Sequence, residues 1–342
     1  MRRRPAPDGF FRHAASSIKP AGKHKHRPPM IAQAFVLGAG LGTRLRPLTE
    51  DLPKPLIPIF QKPLITFVLD HLIAAGIKSF VVNTHYLPDA FREFFPGNHY
   101  RGRPVQLVYE PEILGTGGGI KNVETLLRED VFISYSGDIV TDIDLRSLLD
   151  EHFRAGNDVT MALRETHLGK DVALEGKRVV DITTRYGHAG RYDFAGVGVW
   201  TRAVFERIPP GKHLSYISIL AEWIGQGGKI GGVVLDEGKW FNLGSRREYL
   251  AVHRTIAAEN WRPGYLAEAN WPIRIAPDAR IDSTARFSGF YSIGAGCRIG
   301  AETTIEDTIL WPGAQIASRS RLRNCIVRSH HTAEGELSDT DI

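Results

Sequence analysis

The chain has 342 residues, of which 42% are hydrophobic and 24% are charged, and its formal net charge is +5. This length allows one large domain or two ordinary ones, and the composition is that of a globular protein rather than a fibrous or disordered one. No run of about 18 apolar residues occurs, which argues against a transmembrane helix, and the two cysteines, Cys297 and Cys325, exclude a disulfide framework and favour a reducing cytoplasm.

Residues 1–30 supply the excess of positive charge. They hold eight Lys or Arg side chains and one acid, Asp8, so the rest of the chain is close to neutral. A basic segment can bind nucleic acid or anionic lipid, but this one lacks the apolar core of a signal peptide. We therefore predict a disordered basic tail with no nucleic-acid or membrane partner.

Short apolar runs alternate with amphipathic stretches from Gln33 to about Glu259. This alternation is typical of a parallel sheet that carries helices on both faces. We predict an α/β fold, a Rossmann-like and mostly parallel sheet with helices on both faces, in a catalytic domain of residues 31–262. The predicted strands are 34–37, 80–83, 105–109 and 131–135, and the predicted helices are 65–75, 89–95, 119–127 and 145–155.

A glycine-rich stretch, Gly38–Thr49, follows the first predicted strand, and a lysine flanked by prolines lies in Pro53–Pro58. Glycines let backbone amides approach an anion without side chains in the way. Arg44 adds a cation that can grip phosphate oxygens, and the prolines on both sides of Lys54 stiffen its backbone. Loops at the carboxyl ends of strands form the sites of such sheets, so we predict a polyphosphate site here.

Two familiar phosphate-binding motifs fit this stretch poorly. The dinucleotide fingerprint expects a third glycine where the chain has Thr43, and the Walker pattern expects a Gly-Lys-Ser/Thr that does not follow. The prolines at 53, 55 and 58 also prevent a long helix directly after the loop. A different class of nucleotide-binding protein is therefore indicated.

The stretch resembles the signature of the sugar-1-phosphate nucleotidylyltransferases, Gly-x-Gly-x-Arg-Leu-x-Pro-Leu-Thr followed by Pro-Lys-Pro. The similarity covers most of residues 33–260, and within the family the arrangement is most similar to the mannose-1-phosphate guanylyltransferases. The resemblance implies that a sugar 1-phosphate attacks the α-phosphorus of an NTP and releases pyrophosphate. Arg44 would hold the β- and γ-phosphates, and Lys54 would bridge the α-phosphate and the sugar phosphate. The nucleotide-binding residues predicted in this stretch are Leu37, Gly38, Ala39, Gly40, Gly42 and Thr43.

A second glycine-rich loop, Leu114–Gly119, resembles the family's loop that packs on the nucleobase and the sugar. We predict nucleotide contacts from Gly115 and Thr116 and a sugar-phosphate contact from Gly117. Glu110 stands where the family often places a residue that reads the base. A carboxylate only accepts hydrogen bonds, and guanine offers two adjacent donors where uracil offers one, which favours GTP.

Asp138 follows the predicted strand 131–135 and resembles the family's metal-binding aspartate. Asn242 lies in Trp240–Ser245, where family members often have a second aspartate. An amide oxygen can also be a ligand of Mg²⁺, which takes few carboxylates and completes its shell with phosphate oxygens and water. We predict Mg²⁺ as the cofactor, held by Asp138 and Asn242.

The residues expected to contact the sugar and its phosphate differ from the family pattern. Many members have Glu-Lys-Pro where this chain has Ile182–Arg185, so Arg185 would replace that lysine at the sugar phosphate together with Gly196. Phe194 stands where others have an asparagine that contacts a sugar hydroxyl. The first hypothesis is GTP with mannose 1-phosphate; the alternative is an N-acetylmuramate-1-phosphate or other hexose-1-phosphate uridylyl- or thymidylyltransferase. A non-catalytic, NDP-sugar-binding regulatory homologue is the second alternative.

The pattern changes near Ile273, where apolar residues recur at every sixth position. A helix cannot place every sixth residue on one stripe, but a solenoid with three short faces per coil can. We predict a short left-handed parallel β-helix of hexapeptide repeats over residues 263–330 and a flexible C-terminus over 331–342. Trp311 is expected at an outward turn. Exposed solenoid ends need covering, which favours a homo-oligomer. The repeat consists of Ile275, Ile281, Phe287, Ile293, Ile299 and Ile305 and, after a slip of one residue, Leu310, Ile316 and Leu322.

Overall fold

The computed structural model describes residue 1 and residues 31–342 apart from 167 and 170. The predicted basic tail, residues 1–30, therefore lies outside the described residues except for Met1. None of the helices in the described part of the chain is long and apolar enough to cross a membrane.

The elements follow one another in the alternation expected from the sequence. The strands before residue 260 are β1 Gln33–Leu37, β2 Pro58–Ile59, β3 Lys62–Pro63, β4 Ser79–Thr84, β5 His99–Tyr100, β6 Arg103–Tyr109, β7 Val131–Ser136, β8 Ile139–Thr141, β9 Val159–Arg164, β10 Val172–Glu175, β11 Arg178–Ile182, β12 Asp193–Thr201, β13 Ile230–Val234 and β14 Trp240–Asn242. The later strands are β15 Arg280–Ile281, β16 Arg286–Ile293, β17 Arg298–Ile299, β18 Thr304–Leu310, β19 Gln315–Ile316, β20 Arg321–Arg323, β21 Ile326–Val327, β22 Thr332–Ala333 and β23 Glu336–Ser338. The α-helices are α1 Leu64–Ala74, α2 Pro88–Phe94, α3 Gly115–Asn122, α4 Leu145–Ala155, α5 Tyr216–Gly225 and α6 Arg246–Glu259, and short 3₁₀ helices lie at Thr43–Leu45, Lys54–Leu56, Pro96–Asn98 and Arg202–Arg207.

A ten-stranded sheet in the order β10-β11-β13-β9-β12-β7-β1-β4-β6-β5 forms the centre of the catalytic part. The neighbours β7, β1, β4 and β6 are parallel, as are β9 and β13. The predicted mostly parallel sheet is confirmed in this central region. The sheet is nevertheless mixed, because β12 runs antiparallel between β7 and β9, and β5 and β11 also run antiparallel to their neighbours.

Helices cover both faces of the sheet, as the alternation predicted. Successive side chains of a strand point to opposite faces, so Phe35 and Val36 of β1 enter different cores. Val36 packs with apolar residues of α1, α2 and α4, whereas Phe35 packs with residues of α3 and α5. This packing fixes the carboxyl ends of β1, β6 and β7 at one edge of the sheet.

The C-terminal strands are parallel and stack in two sheets, β15-β17-β19-β22 and β16-β18-β20-β23, an arrangement compatible with a β-helix. Ile281 pairs with Ile299, and Ile299 pairs with Ile316. The slip of one residue seen in the sequence corresponds to a register shift between Ser288 and Tyr291, where β16 carries an extra residue relative to β18.

Two expectations for the C-terminal part need correction. Residues 331–342 were expected to be a flexible end, but β22 and β23 pair with β19 and β20, and the Ile342 amide donates to the Ile326 carbonyl at 2.9 Å. Trp311 was expected at an outward turn, but it is 1% exposed and its Nε1 donates to the Tyr249 hydroxyl at 2.9 Å. The coils therefore dock on α6, which covers that side chain.

Candidate active site

Two neighbouring clefts open at the carboxyl ends of β1, β6 and β7. The smaller has a volume of about 210 Å³ and the larger about 520 Å³. Ser136 and Asp138 line both clefts, so the two spaces meet at the end of β7. The predicted site residues in the wall of the smaller cleft are Leu37, Gly38, Ala39, Gly40, Lys54, Glu110, Gly115, Thr116 and Asp138. Those in the wall of the larger cleft are Arg44, Asp138, Gly196 and Asn242.

The first glycine-rich loop presents its backbone to the smaller cleft. The Gly38 amide donates to Asn83 Oδ1 at 2.8 Å, and a Cβ at Gly38 would lie 2.7 Å from the Asn83 carbonyl oxygen. Only glycine fits that close approach between β1 and β4. A Cβ at Gly40 would meet nothing within 4 Å, so this residue faces open space.

Glu110 is 1% exposed and connects the two glycine-rich loops. Its Oε1 accepts a hydrogen bond from Asn83 Nδ2 at 2.8 Å, and its Oε2 accepts one from the Leu114 amide at 3.2 Å. Because Asn83 also holds Gly38, one buried carboxylate fixes both walls of the smaller cleft. A carboxylate offers about four acceptor sites, so two remain beyond these bonds.

The second glycine-rich loop begins α3 and packs against residues 212–216. The Gly117 amide donates to the Leu214 carbonyl at 2.8 Å, and Thr116 Oγ1 accepts from the Tyr216 amide at 3.0 Å. A Cβ at Gly118 would lie 2.2 Å from the Lys212 carbonyl oxygen. The glycines of this loop therefore allow one backbone segment to lie directly on another.

Lys54 and Asp138 form an ion pair where the two clefts meet. The Lys54 side chain is 10% exposed and that of Asp138 33% exposed. A 3₁₀ turn flanked by prolines places the lysine, whereas the end of β7 places the aspartate. The geometry thus puts the anion in the walls of both clefts and the cation, which lines the smaller cleft, directly beside it.

Asn242 reaches this position through the pairing of β8 with β14. Asn242 pairs with Ile139, the residue after Asp138, and the Leu243 amide donates to the Asp138 carbonyl at 3.2 Å. Both side chains offer oxygen atoms, which are the ligands that Mg²⁺ and similar hard cations prefer. In the described part of the chain no group of three or more His, Cys, Asp or Glu could hold a metal by itself. The pair therefore suits a divalent ion whose remaining ligands are substrate phosphates and water.

Tyr216 is a wall residue of the larger cleft that the sequence did not indicate. Burial raises the pKa of its hydroxyl, and the negative charge of Asp138 raises that pKa further. The phenol therefore stays protonated and offers a hydrogen-bond donor. Asn83 was also missed, although its position at the end of a predicted strand could have indicated it.

Some predicted site residues lie outside the walls of both clefts. Arg185 is exposed after β11, and its guanidinium lies over the Tyr186 ring, 5.9 Å from the centroid. Gly117 is buried against Leu214, and Gly42 and Thr43 form the start of the first 3₁₀ turn. The roles assigned to these four residues remain predictions.

Comparison with known proteins gives a consistent result. A family model described as nucleotidyl transferase matches residues 33–259. A mannose-1-phosphate guanylyltransferase of Mycobacterium tuberculosis is 32% identical over 302 residues, which cover 83% of this chain and 80% of that protein. An N-acetylmuramate alpha-1-phosphate uridylyltransferase of Caulobacter vibrioides is 32% identical over 251 residues, 66% of this chain and 96% of that protein.

A solved structure supports the fold. A UDP-glucose pyrophosphorylase from Acinetobacter baumannii superposes with a TM-score of 0.60 at 19% sequence identity, over 69% of this chain and 96% of that one. At this identity the likeness concerns the fold alone.

Proposed function

We propose that this chain, which belongs to the nucleotidyl transferase family and is a sugar-1-phosphate nucleotidylyltransferase, makes GDP-mannose and pyrophosphate from GTP and mannose 1-phosphate. The observation that carries the proposal is the Lys54–Asp138 ion pair at the junction of the two clefts. Transfer of a nucleotidyl group brings the sugar phosphate and the α-phosphate of the NTP together, and a cation beside them reduces their mutual repulsion. The junction is where a nucleotide in the smaller cleft would meet a sugar phosphate in the larger.

In the proposed reaction, an oxygen of the sugar phosphate forms a bond to the α-phosphorus of the NTP. The bond from the α-phosphorus to the bridging oxygen of pyrophosphate breaks at the same centre. Little covalent work falls to the protein, and positioning and neutralisation of charge carry the catalysis. Lys54 would neutralise the phosphate oxygens on both sides of the reacting phosphorus, and Arg44 would hold the leaving pyrophosphate.

A divalent metal ion is general in this family, and we assign Mg²⁺ to Asp138 and Asn242. When bound, the ion neutralises negative charge on the phosphates. Lys54 already pairs with Asp138, so metal and lysine share one carboxylate. The remaining proposed contacts to the nucleotide come from Leu37, Gly38, Ala39, Gly40, Gly42, Thr43, Glu110, Gly115 and Thr116, and those to the sugar phosphate come from Gly117, Arg185 and Gly196. The cleft walls support all of them except Gly42, Thr43, Gly117 and Arg185.

Two observations support GTP and mannose 1-phosphate. Glu110 lines the smaller cleft, and a carboxylate, which only accepts hydrogen bonds, suits the two adjacent donors of guanine. The similarity to the mycobacterial guanylyltransferase also extends beyond residues 33–259 into the C-terminal coils, because it covers 83% of this chain. The similarity to the N-acetylmuramate enzyme has the same 32% identity over 66% of this chain, which keeps that substrate as the alternative.

The test is a grid of GTP, UTP, dTTP, CTP and ATP against the 1-phosphates of mannose, glucose, N-acetylglucosamine and N-acetylmuramate, read as pyrophosphate release with Mg²⁺. GTP with mannose 1-phosphate is expected to have the highest kcat/KM. A maximum with UTP and N-acetylmuramate 1-phosphate would replace the substrate assignment and keep the reaction. Binding of NDP-sugars with no turnover for any pair would favour the regulatory homologue.

For the C-terminal coils we propose the left-handed β-helix of hexapeptide repeats and a homo-oligomer. The support is the stacking of parallel strands in two sheets, whose terminal coils have pairing edges to cover. A cytoplasmic location is part of the same proposal, because Cys297 and Cys325 are free thiols.

A further inference from the structure

We propose that Arg328, in the C-terminal coils, is a positioning residue that holds the phosphate-binding segment 38–58 through Glu50 and Asp51. The inference rests on the proposed function, since it assigns that segment to the polyphosphate. It connects a residue of the coils with a catalytic loop about 280 positions earlier in the sequence.

The contact is a shared ion pair. Arg328 Nη1 lies 2.5 Å from Asp51 Oδ2 and 3.3 Å from Glu50 Oε2, and the arginine side chain is 11% exposed. Its Nε is buried and has no hydrogen-bond partner among the described residues. The Glu50 and Asp51 side chains are 51% and 62% exposed, so the guanidinium is the buried partner of the contact. Asp341 also lies within electrostatic reach of Arg328.

Glu50 and Asp51 occupy the turn between the two halves of the segment. The Glu50 amide donates to the Pro47 carbonyl at 3.0 Å, and Thr49 Oγ1 donates to the Gly42 carbonyl at 2.9 Å. Lys54 follows three residues after Asp51. A displacement of this turn would therefore move Gly42 on one side and Lys54 on the other.

Apolar side chains of the coils also pack against the same segment. Leu45 and Leu48 are buried in one apolar cluster with Trp311 and Ile326. Asp341 of the last coil accepts a hydrogen bond at 2.6 Å from Arg246 Nε, four residues after Asn242. The coils thus contact both the phosphate-binding segment and the start of α6, which follows the proposed metal ligand Asn242.

Removal of the Arg328 guanidinium should leave the coils docked on the catalytic part of the chain. The Arg328 backbone is fixed within the coil, since its amide donates to the Ile342 carbonyl at 2.7 Å. The bond between Trp311 and Tyr249 joins the coils to α6 independently of Arg328. The effect of a substitution should therefore concentrate on the phosphate-binding segment.

The first experiment compares Arg328→Ala and Arg328→Lys with Arg321→Ala in the full-length protein. Arg321 forms an exposed ion pair with Glu336 within the coils and serves as the matched control. For Arg328→Ala we expect a rise in KM for GTP and a loss of roughly 10-fold to 100-fold in kcat/KM, the range for misplaced reacting groups. Arg328→Lys should recover part of the lost kcat/KM, because lysine keeps the positive charge but lacks the several donors of the planar guanidinium. Wild-type kinetics for a folded Arg328→Ala would overturn the proposal.

A double-mutant cycle tests the path of the effect. Glu50→Gln with Asp51→Asn should reproduce the kinetic loss, and adding Arg328→Ala should cost little more, because the same interaction is already gone. Fully additive losses would show that Arg328 acts elsewhere and would overturn the assigned path.

A third measurement does not depend on turnover. Amide hydrogen exchange of residues 42–56, in the absence of substrates, should be faster in Arg328→Ala than in the wild type or Arg321→Ala. Unchanged exchange would overturn the positioning role even if GTP and mannose 1-phosphate are the substrates. Faster exchange in Arg328→Ala than in the wild type, together with no activity of the wild type in the substrate grid, would reject the proposed function and keep the mechanical coupling.

Discussion

The Lys54 ammonium contacts the Asp138 carboxylate, and this ion pair joins two residues that are 84 positions apart in the chain. Before substrates bind, each side chain neutralises the charge of the other. Incoming phosphates would compete for the lysine, and a divalent ion would compete for the aspartate. The pair therefore keeps both groups in place while their charges are balanced.

Lys54→Gln should reduce kcat by about 100-fold to 1,000-fold, the usual cost of losing one group that stabilises developing charge. The KM for GTP should change less, because the glycine-rich loop still holds the nucleotide. Initial rates of pyrophosphate release measure both quantities. Lys78→Gln, at an exposed residue before β4, is the matched control. A change in KM alone would remove the assigned role in the chemical step.

Asn242→Asp should lower the Mg²⁺ concentration that gives half-maximal rate by roughly severalfold, because affinity rises with the charge of the ligand set. A titration of activity with Mg²⁺ at saturating substrates measures this concentration. Asn98→Asp adds the same charge at an exposed position and should leave the titration unchanged. An Asn242→Asp titration identical to the wild type would place the metal elsewhere.

Two glycine substitutions should separate function from stability. A Cβ at Gly40 meets nothing within 4 Å, so Gly40→Ala should leave the melting temperature near that of the wild type and reduce kcat/KM by intruding on the phosphate space. A Cβ at Gly118 would lie 2.2 Å from the Lys212 carbonyl oxygen, so Gly118→Ala should lower the stability by about 1–3 kcal/mol.

Thermal unfolding and kinetics of both variants check this pair. Loss of stability in Gly40→Ala, or none in Gly118→Ala, would contradict the packing described for the two loops.

The sequence predicted the centre of the site because its signals are local. A glycine-rich loop after a strand, and an aspartate after another, meet at one edge wherever β1 and β7 are parallel neighbours. The helix 145–155 was also predicted with the observed bounds, since Asp144 caps it at one end and Gly156 ends it in a left-handed conformation at the other.

Other features depend on partners distant in sequence. The direction of β12 is set by its neighbours in the sheet, and a strand pattern carries no direction. Trp311 has the local surroundings of an exposed turn, and residues distant in sequence, such as Tyr249 of α6 and Leu48, bury it. The last coil was not predicted because its sequence separation differs from that of the earlier coils. Leu337 follows its partner Leu322 after fewer residues than Leu322 follows its own partner Ile305. Arg185 follows Thr183 and Thr184, both with positive φ, and this turn leaves it exposed.

His253 should make the folding stability depend on pH. Burial lowers its pKa from 6.5 to about 4. Its Nδ1 lies 2.8 Å from the Tyr249 carbonyl oxygen, which can only accept, and the Phe60 amide donates to its Nε2 at 3.4 Å. The ring is therefore neutral with the proton on Nδ1, and a second proton on Nε2 would face an N–H group.

The sign follows from the two pKa values. Above pH 6.5 the ring is neutral in both states, and as the pH falls from 6.5 towards 4 the unfolded chain takes up a proton that the folded ring refuses. The free energy of unfolding should therefore decrease over that range, by about 1–3 kcal/mol for a buried group of this kind. Urea denaturation at pH 7 and pH 5 measures the decrease. His253→Gln keeps a donor and an acceptor but does not titrate, so its stability should fall less over the same range. An equal decrease in both proteins would assign the pH dependence to other groups, of which His71 and His152 have their pKa lowered by burial in the same direction.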